Sequence, residues 1–225
     1  MFPVPQLCTH TSDVTVINQR ELEGLEGEEK VFSCHDSDPA FSSYLDSATS
    51  VESKLTLRVG AQVMLLKNLQ VGCCLKTENN FILSFQVSAG LVNGARGRVS
   101  RFSEEGLPVV VWAGGATTEV KQDRWSVKAG GGAILTRSQL PLRLAWAFSI
   151  HKSQGMTLDC VEVSLSRVFE CGQAYVALSR AKSLRALTIL DFKPTHVRAD
   201  NKVLRFYKNL TLAKPSFQQR IDEML

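Results

Sequence analysis

The sequence predicts an α/β protein: a parallel sheet flanked by helices, with a small β-barrel inserted into it or appended to it. Two patterns carry this. Between about residues 55 and 137, short β-like segments follow one another closely and are separated by glycine-rich turns. After Pro141, apolar strands alternate with helical segments, the signature of a parallel α/β sheet. A third observation bounds the answer. A chain of 225 residues, 44% hydrophobic and 21% charged, can bury a core without a metal or disulfides to hold it.

The elements follow in order. Leu7-Cys8-Thr9 reads as a short strand. Thr11, Ser12 and Asp13 supply N-cap side chains for a helix to about Leu25, with Val14, Ile17, Leu22 and Leu25 as its apolar stripe. Lys30 to His35 is a strand, and 36–53 reads as loop or a solvated helix. Leu55 to Gly60 and Ala61 to Leu66 are β-like, as are Arg98 to Phe102, Pro108 to Trp112, Thr117 to Val120 and Trp125 to Val127. The turns between them carry Asn93-Gly94, Glu105-Gly106, Gly114-Gly115 and Gly130-Gly131-Gly132. Leu144 to Ile150 reads as helical and Val161 to Leu165 as a buried strand. Gln173 to Ala181 is a helix, Ala186 to Phe192 a second buried strand and Asp200 to Leu212 a final helix. Cys73 to Gly90 lies between two β-like pieces and fits poorly, with an apolar Phe-Ile-Leu-Ser-Phe run where a turn would be expected.

Composition excludes several classes. No stretch approaches the ~18 uninterrupted apolar residues of a membrane helix. The N-terminal residues carry no signal-peptide pattern. The six cysteines form no C-x-x-C pair and the four histidines are scattered, so no metal site is expected and reduced thiols are. Charge is uneven: residues 1–55 carry a net −7 and the remainder a net +11. A basic body suits an anionic partner such as nucleic acid, although solvated surface charge gives the same count.

Two segments carry chemistry. Ser149-Ile-His-Lys-Ser-Gln-Gly155-Met-Thr157-Leu-Asp159 gathers an ammonium at Lys152, hydroxyls at Ser149, Ser153 and Thr157, and a glycine that lets backbone N–H groups approach a phosphate. A polar surface turn has the same composition. In Gly172-Gln-Ala-Tyr175-Val-Ala-Leu-Ser179-Arg180-Ala-Lys182, Tyr175 and Ser179 share a helix face and Arg180 projects. Such an arginine reaches a neighbouring nucleotide or forms a solvated ion pair. The sequence contains no G-x-x-x-x-G-K-[ST] phosphate loop and no apolar strand ending in paired Asp-Glu. No nucleophile context supports an unrelated α/β hydrolase.

Ile150-His-Lys-Ser-Gln-Gly-Met-Thr-Leu-Asp159 and Gln173-Ala-Tyr-Val-Ala-Leu-Ser-Arg180-Ala resemble motifs V and VI of superfamily-one DNA helicases, in the wording of the Pif-one family and close to its vertebrate form. Leu7-Cys-Thr-His and Val16-Ile-Asn18-Gln-Arg resemble its motif IV region. Leu57 to Asn68, Leu91 to Gly97, Asp123-Arg-Trp125 and Gln139-Leu-Pro-Leu142 resemble the segments around its Src-homology-3-like insert.

The resemblance implies a fold and roles. Residues 1–55 and 138–213 would form the family's second RecA-like domain, of the P-loop NTPase type, and 56–137 the inserted β-barrel. Residues 73–90 would be an atypical insert and 214–225 a tail. Arg180 would touch the ATP γ-phosphate; Gln154, Gly155, Gln173 and Tyr175 would line the ATP cleft. His151, Lys152, Ser153, Thr157 and Asn18 would follow single-stranded DNA. The function implied is part of an ATP-dependent 5′-to-3′ DNA helicase in repair, recombination and telomere maintenance, in nucleus and mitochondrion. ATP and Mg2+ would serve the full-length parent, with neither bound by this chain alone. Its partners would be single-stranded DNA, DNA junctions and the parent's first RecA-like domain, with no membrane. The alternative is a non-catalytic module that binds single-stranded DNA or a protein partner.

Overall fold

A computed structural model of the chain describes residues 3–69, 73–77, 80–84 and 91–210. The structure is mixed α/β and divides into two compact units, one of residues 1–5 and 14–147, the other of 6–13 and 148–225. This differs from the expected division at residues 56 and 137. Residues 14–55 and 138–147 pack with the short strands because their apolar side chains Leu22, Leu55, Leu140, Leu142 and Trp146 belong to the same core as Val63, Val99, Val110 and Trp112.

In the first unit a five-stranded antiparallel sheet runs Thr117–Glu119, Pro108–Trp112, Arg96–Phe102, Gln62–Leu65, Leu142–Leu144. Gln62–Leu65 is buried at every residue, so this strand is covered on both faces rather than alternating. Gly97 sits where an added Cβ would lie 2.4 Å from Val110 Cγ1 and 2.9 Å from Trp112 Cε3, so close approach requires glycine there. Asp123–Lys128, Ile134–Gln139 and His35–Asp36 form a second sheet. Glu29–Ser33 pairs with Lys54–Arg58. Helix α1 spans Thr11–Glu23 and α2 spans Ser42–Ala48. Among the described residues of the expected insert, Cys73–Thr77 and Asn80–Ser84 pair as an antiparallel hairpin; residues 78–79 and 85–90 lie outside the described residues.

The second unit is built on a four-stranded sheet in the order Ala147–Ser149, Gln6–Cys8, Val161–Ser164, Leu187–Asp191. Gln6–Cys8 is parallel to Val161–Ser164, which is parallel to Leu187–Asp191. Leu7, Val161, Val163, Leu165 and Ala177 are fully buried around it. Helix α3 spans Gln173–Leu178, and residues 201–210 are helical.

Three expectations are corrected here. Leu144 to Ile150 is not helical: Leu144 ends the strand Leu142–Leu144 of the first sheet, and Ala147–Ser149 is a strand of the other. A run buried on both faces has no period that separates helix from strand, so pairing decides. Ala186 to Phe192 forms a strand, but at the sheet edge, with Ile189, Leu190 and Phe192 exposed. Helix α3 stops at Leu178 rather than Ala181 because Ala181 forms a bridge to Leu158. The final helix holds over 201–210, with Val203, Leu204, Tyr207 and Leu210 all exposed; residues 211–225, including the expected tail, lie outside the described residues.

Candidate functional site

Ser149 ends a buried strand, and the chain then makes a tight turn. His151–Ser153 forms one 3-10 turn; Gly155 follows with φ of +79°, a conformation that favours glycine, in open space. The Ser153 hydroxyl donates to the Ile150 carbonyl at 2.6 Å, and the Met156 N–H donates to the Ser153 carbonyl at 3.0 Å. His151, Lys152, Gln154, Gly155 and Thr157 are left exposed. The turn therefore presents an ammonium, an imidazole and a hydroxyl from a fixed backbone.

Helix α3 begins at Gly172, whose φ is +80°, and leads to Arg180. The Arg180 guanidinium is held by three acceptors. Nε donates to Val176 O at 2.9 Å, Nη1 to Met156 O at 3.1 Å and Nη2 to Ser179 Oγ at 3.0 Å. One N–H remains on each terminal nitrogen, the fork geometry that suits a phosphate. The two segments are joined through the main chain as well. Leu158 N–H donates to Arg180 O at 2.8 Å, and Lys182 N–H donates to Leu158 O at 3.0 Å. Two main-chain hydrogen bonds thus join the turn to the arginine's segment.

Gln173 is buried, and its Oε1 accepts from Phe169 N–H at 3.2 Å, which braces the preceding loop. Tyr175, on α3, is 71% exposed. Ser153 is fully buried, and its hydroxyl donates to main chain. The Asn18 side chain is likewise bonded to main chain. Its carboxamide is paired both ways with Ala147 of the same compact unit, Asn18 Nδ2 donating to Ala147 O and Ala147 N–H donating to Asn18 Oδ1, each at 2.9 Å. Among the described residues no three His, Cys, Asp or Glu side chains converge as a metal site.

One neighbourhood was invisible in the sequence. His10 stacks on Phe169 at 5.2 Å between ring centroids, and His151 lies 6.3 Å from the same ring. His151 Nε2 is 2.9 Å from Glu170 Oε2. His10 and Phe169 are far apart in the chain, so no periodicity could pair them. The aromatic three residues before Gly172 was the available signal. Below it, burial pushes the Cys8 thiol up to about 11, and the Asp13 charge adds to this.

Residues 40–75 match the family model for the 2B domain of the DNA helicase Pif1. The chain is 53% identical to the human ATP-dependent DNA helicase PIF1 over 234 aligned residues, covering 98% of this chain and 34% of that protein. It thus spans about a third of the length of the curated relatives it matches. The Pif1 helicase of Candida albicans superposes with a TM-score of 0.72 at 32% identity, over 93% of this chain and 50% of that one. Bacteroides Pif1 bound to single-stranded DNA superposes with a TM-score of 0.64 at 27% identity, over 94% and 46%.

Proposed function

The chain belongs to the Pif1 family of DNA helicases, and from that membership we propose that it is the part of an ATP-dependent 5′-to-3′ helicase that joins an arginine finger to a stretch of the DNA path. One observation carries the reading: the main-chain bridge between Leu158 and Ala181, which ties the exposed 151–157 turn to Arg180. In this reading Lys152, His151 and Thr157 face single-stranded DNA, while Gln154, Gly155 and Tyr175 lie toward the nucleotide. Arg180 meets the γ-phosphate held by another domain. When ATP and Mg2+ occupy that domain, closure aligns the guanidinium with developing phosphoryl charge, worth ~10³ or more in rate. The sheets of residues 14–147 are read as the family's barrel-bearing region, a reading supported by the 2B match. Work in DNA repair, recombination and telomere maintenance, at junctions, in nucleus and mitochondrion, belongs to the same proposal and rests on family resemblance.

Because the sequence holds no phosphate loop, a second reading is kept: a non-catalytic module for single-stranded DNA or a partner. In both, this chain alone shows no DNA-stimulated ATPase. The test is fluorescence anisotropy of labelled oligothymidine at several salt concentrations. Lys152→Ala should weaken binding and reduce the log–log salt slope by about one. A slope unchanged by the substitution removes Lys152 from the DNA path. ATP turnover that an Arg180→Ala control abolishes would sink the assignment of Arg180 to another domain's nucleotide.

A further inference from the structure

Phe169 is 51% exposed, yet its backbone is pinned from both sides. Its N–H donates to Gln173 Oε1 at 3.2 Å, and its carbonyl accepts from Arg198 Nη2 at 3.3 Å. The same Arg198 nitrogen donates to Val168 O at 3.1 Å, and Gly172 N–H donates to Arg198 O at 2.9 Å. A large apolar ring is thus fixed at a surface by hydrogen bonds that its own burial does not need. One face is already covered: His10 lies nearly parallel to it, at 20° and 5.2 Å. His151 leans toward it at 40°. Charges of both signs surround it, three basic side chains against two carboxylates. Arg198, Arg167 and Lys152 are exposed nearby, while Asp13 is paired with Arg167 and Glu170 with His151.

We infer that Phe169, backed by His10, is a base-stacking platform for single-stranded nucleic acid. It adds a base-contacting residue to the phosphate-facing turn at 151–157, and so rests on the strand-path reading above. Three features support a base as the occupant. A rigid, exposed aromatic with one covered ring offers a π-face without ordering cost. Cations interleaved with rings are the composition of single-strand sites, where the backbone is neutralised and bases stack. A duplex offers no free base faces, so the platform selects for unpaired strand. The Phe169 ring takes any base, and no sequence preference follows.

The test compares oligothymidine with an abasic oligonucleotide of equal length, using the whole chain at low salt. Wild type should bind the abasic strand about tenfold more weakly, the scale of one aromatic–base stack. Phe169→Ala should erase that gap and leave abasic affinity unchanged; Phe169→Trp should keep it. If Phe169→Ala fails to fold, Phe169→Leu serves. A 2-aminopurine base scanned along the strand gives a wild-type readout, with quenching expected at one position. An oligothymidine-to-abasic ratio unchanged in the variant, or no quenching at any position, overturns the platform and leaves the strand path standing. Absence of salt-sensitive binding by wild type to either strand overturns both.

Discussion

Replacing Arg137 with methionine tests what holds the first unit together. The Arg137 side chain is 0% exposed. Its Nε and Nη2 grip both oxygens of Asp36 at 2.7 and 2.8 Å, and its Nη1 meets Asp46 at 2.6 Å. The Asp36 side chain is 6% exposed and that of Asp46 51%. Arg137→Met keeps the volume but strands the Asp36 carboxylate, which costs about 3–5 kcal/mol. Asp46→Asn, at a half-exposed partner, should cost about 0–1 kcal/mol. Acid gives an independent check. The Arg137 guanidinium holds the Asp36 carboxyl down at about 2, against an ordinary 3.8. A lowered folded-state value stabilises above the unfolded one and is lost as pH falls through it. The interval corresponds to about 2 kcal/mol, present above pH ~4 and gone near pH 2. All three tryptophans (Trp112, Trp125, Trp146) lie in this unit, so urea unfolding followed by their fluorescence reports on it alone. Wild type should exceed Asp36→Asn by that margin at pH 7, and the gap should close toward pH 2. A gap constant from pH 7 to 2.5, or an Arg137→Met cost under ~1 kcal/mol, would refute the reasoning.

Gly97→Ala should destabilise the same unit by about 1–3 kcal/mol, because its Cβ would overlap Val110 and Trp112; a melting temperature within a degree of wild type contradicts the close approach. Asn18→Ala strips both partners from Ala147 and should cost about 2 kcal/mol or more, read by the same fluorescence. Reduced DNA affinity in a folded Asn18→Ala protein would place that residue on the strand path. Cys8, buried and titrating at about 11, should be alkylated at pH 8 far more slowly than the exposed Cys160 and Cys171; equal labelling by mass spectrometry would show the thiol is open.

Legibility followed the physics of each segment. Pro108–Trp112 was readable because β-branched residues and a bounding Gly turn act locally. The exposed residues of the 151–157 turn were readable because their chemistry is written in consecutive positions. The fate of Leu144 to Ile150 was not, since its hydrogen-bond partners, among them Gln62 for Ala145 and Cys8 for Ile150, are distant in sequence. Ser153 and Asn18 look like surface polar residues in one dimension. Only the fold turns their side chains onto main chain. Arg137 hid for the opposite reason: a charged residue in an alternating strand reads as outward-facing, and two acidic residues about 100 positions away bring it inside.

The bond pattern around Arg180 bears on how a strand could be felt at a nucleotide. Of its three acceptors, two are carbonyls, and Met156 O belongs to the turn that carries Lys152. The return bonds, Leu158 to Arg180 and Lys182 to Leu158, are also backbone. If Lys152 bears the strand and Arg180 meets the nucleotide, as proposed, the connection between them runs through peptide groups rather than through a chain of rotamers. Peptide hydrogen bonds have two states, made or broken, and little compliance between. Side-chain truncation at Gln154, Met156 or Thr157 leaves these backbone bonds in place, so alanine substitutions there would underreport any such coupling. Leu158→Pro removes the bond to Arg180 O but leaves the Lys182 bond to Leu158 O and the Arg180 Nη1 bond to Met156 O, so it weakens the connection without severing it.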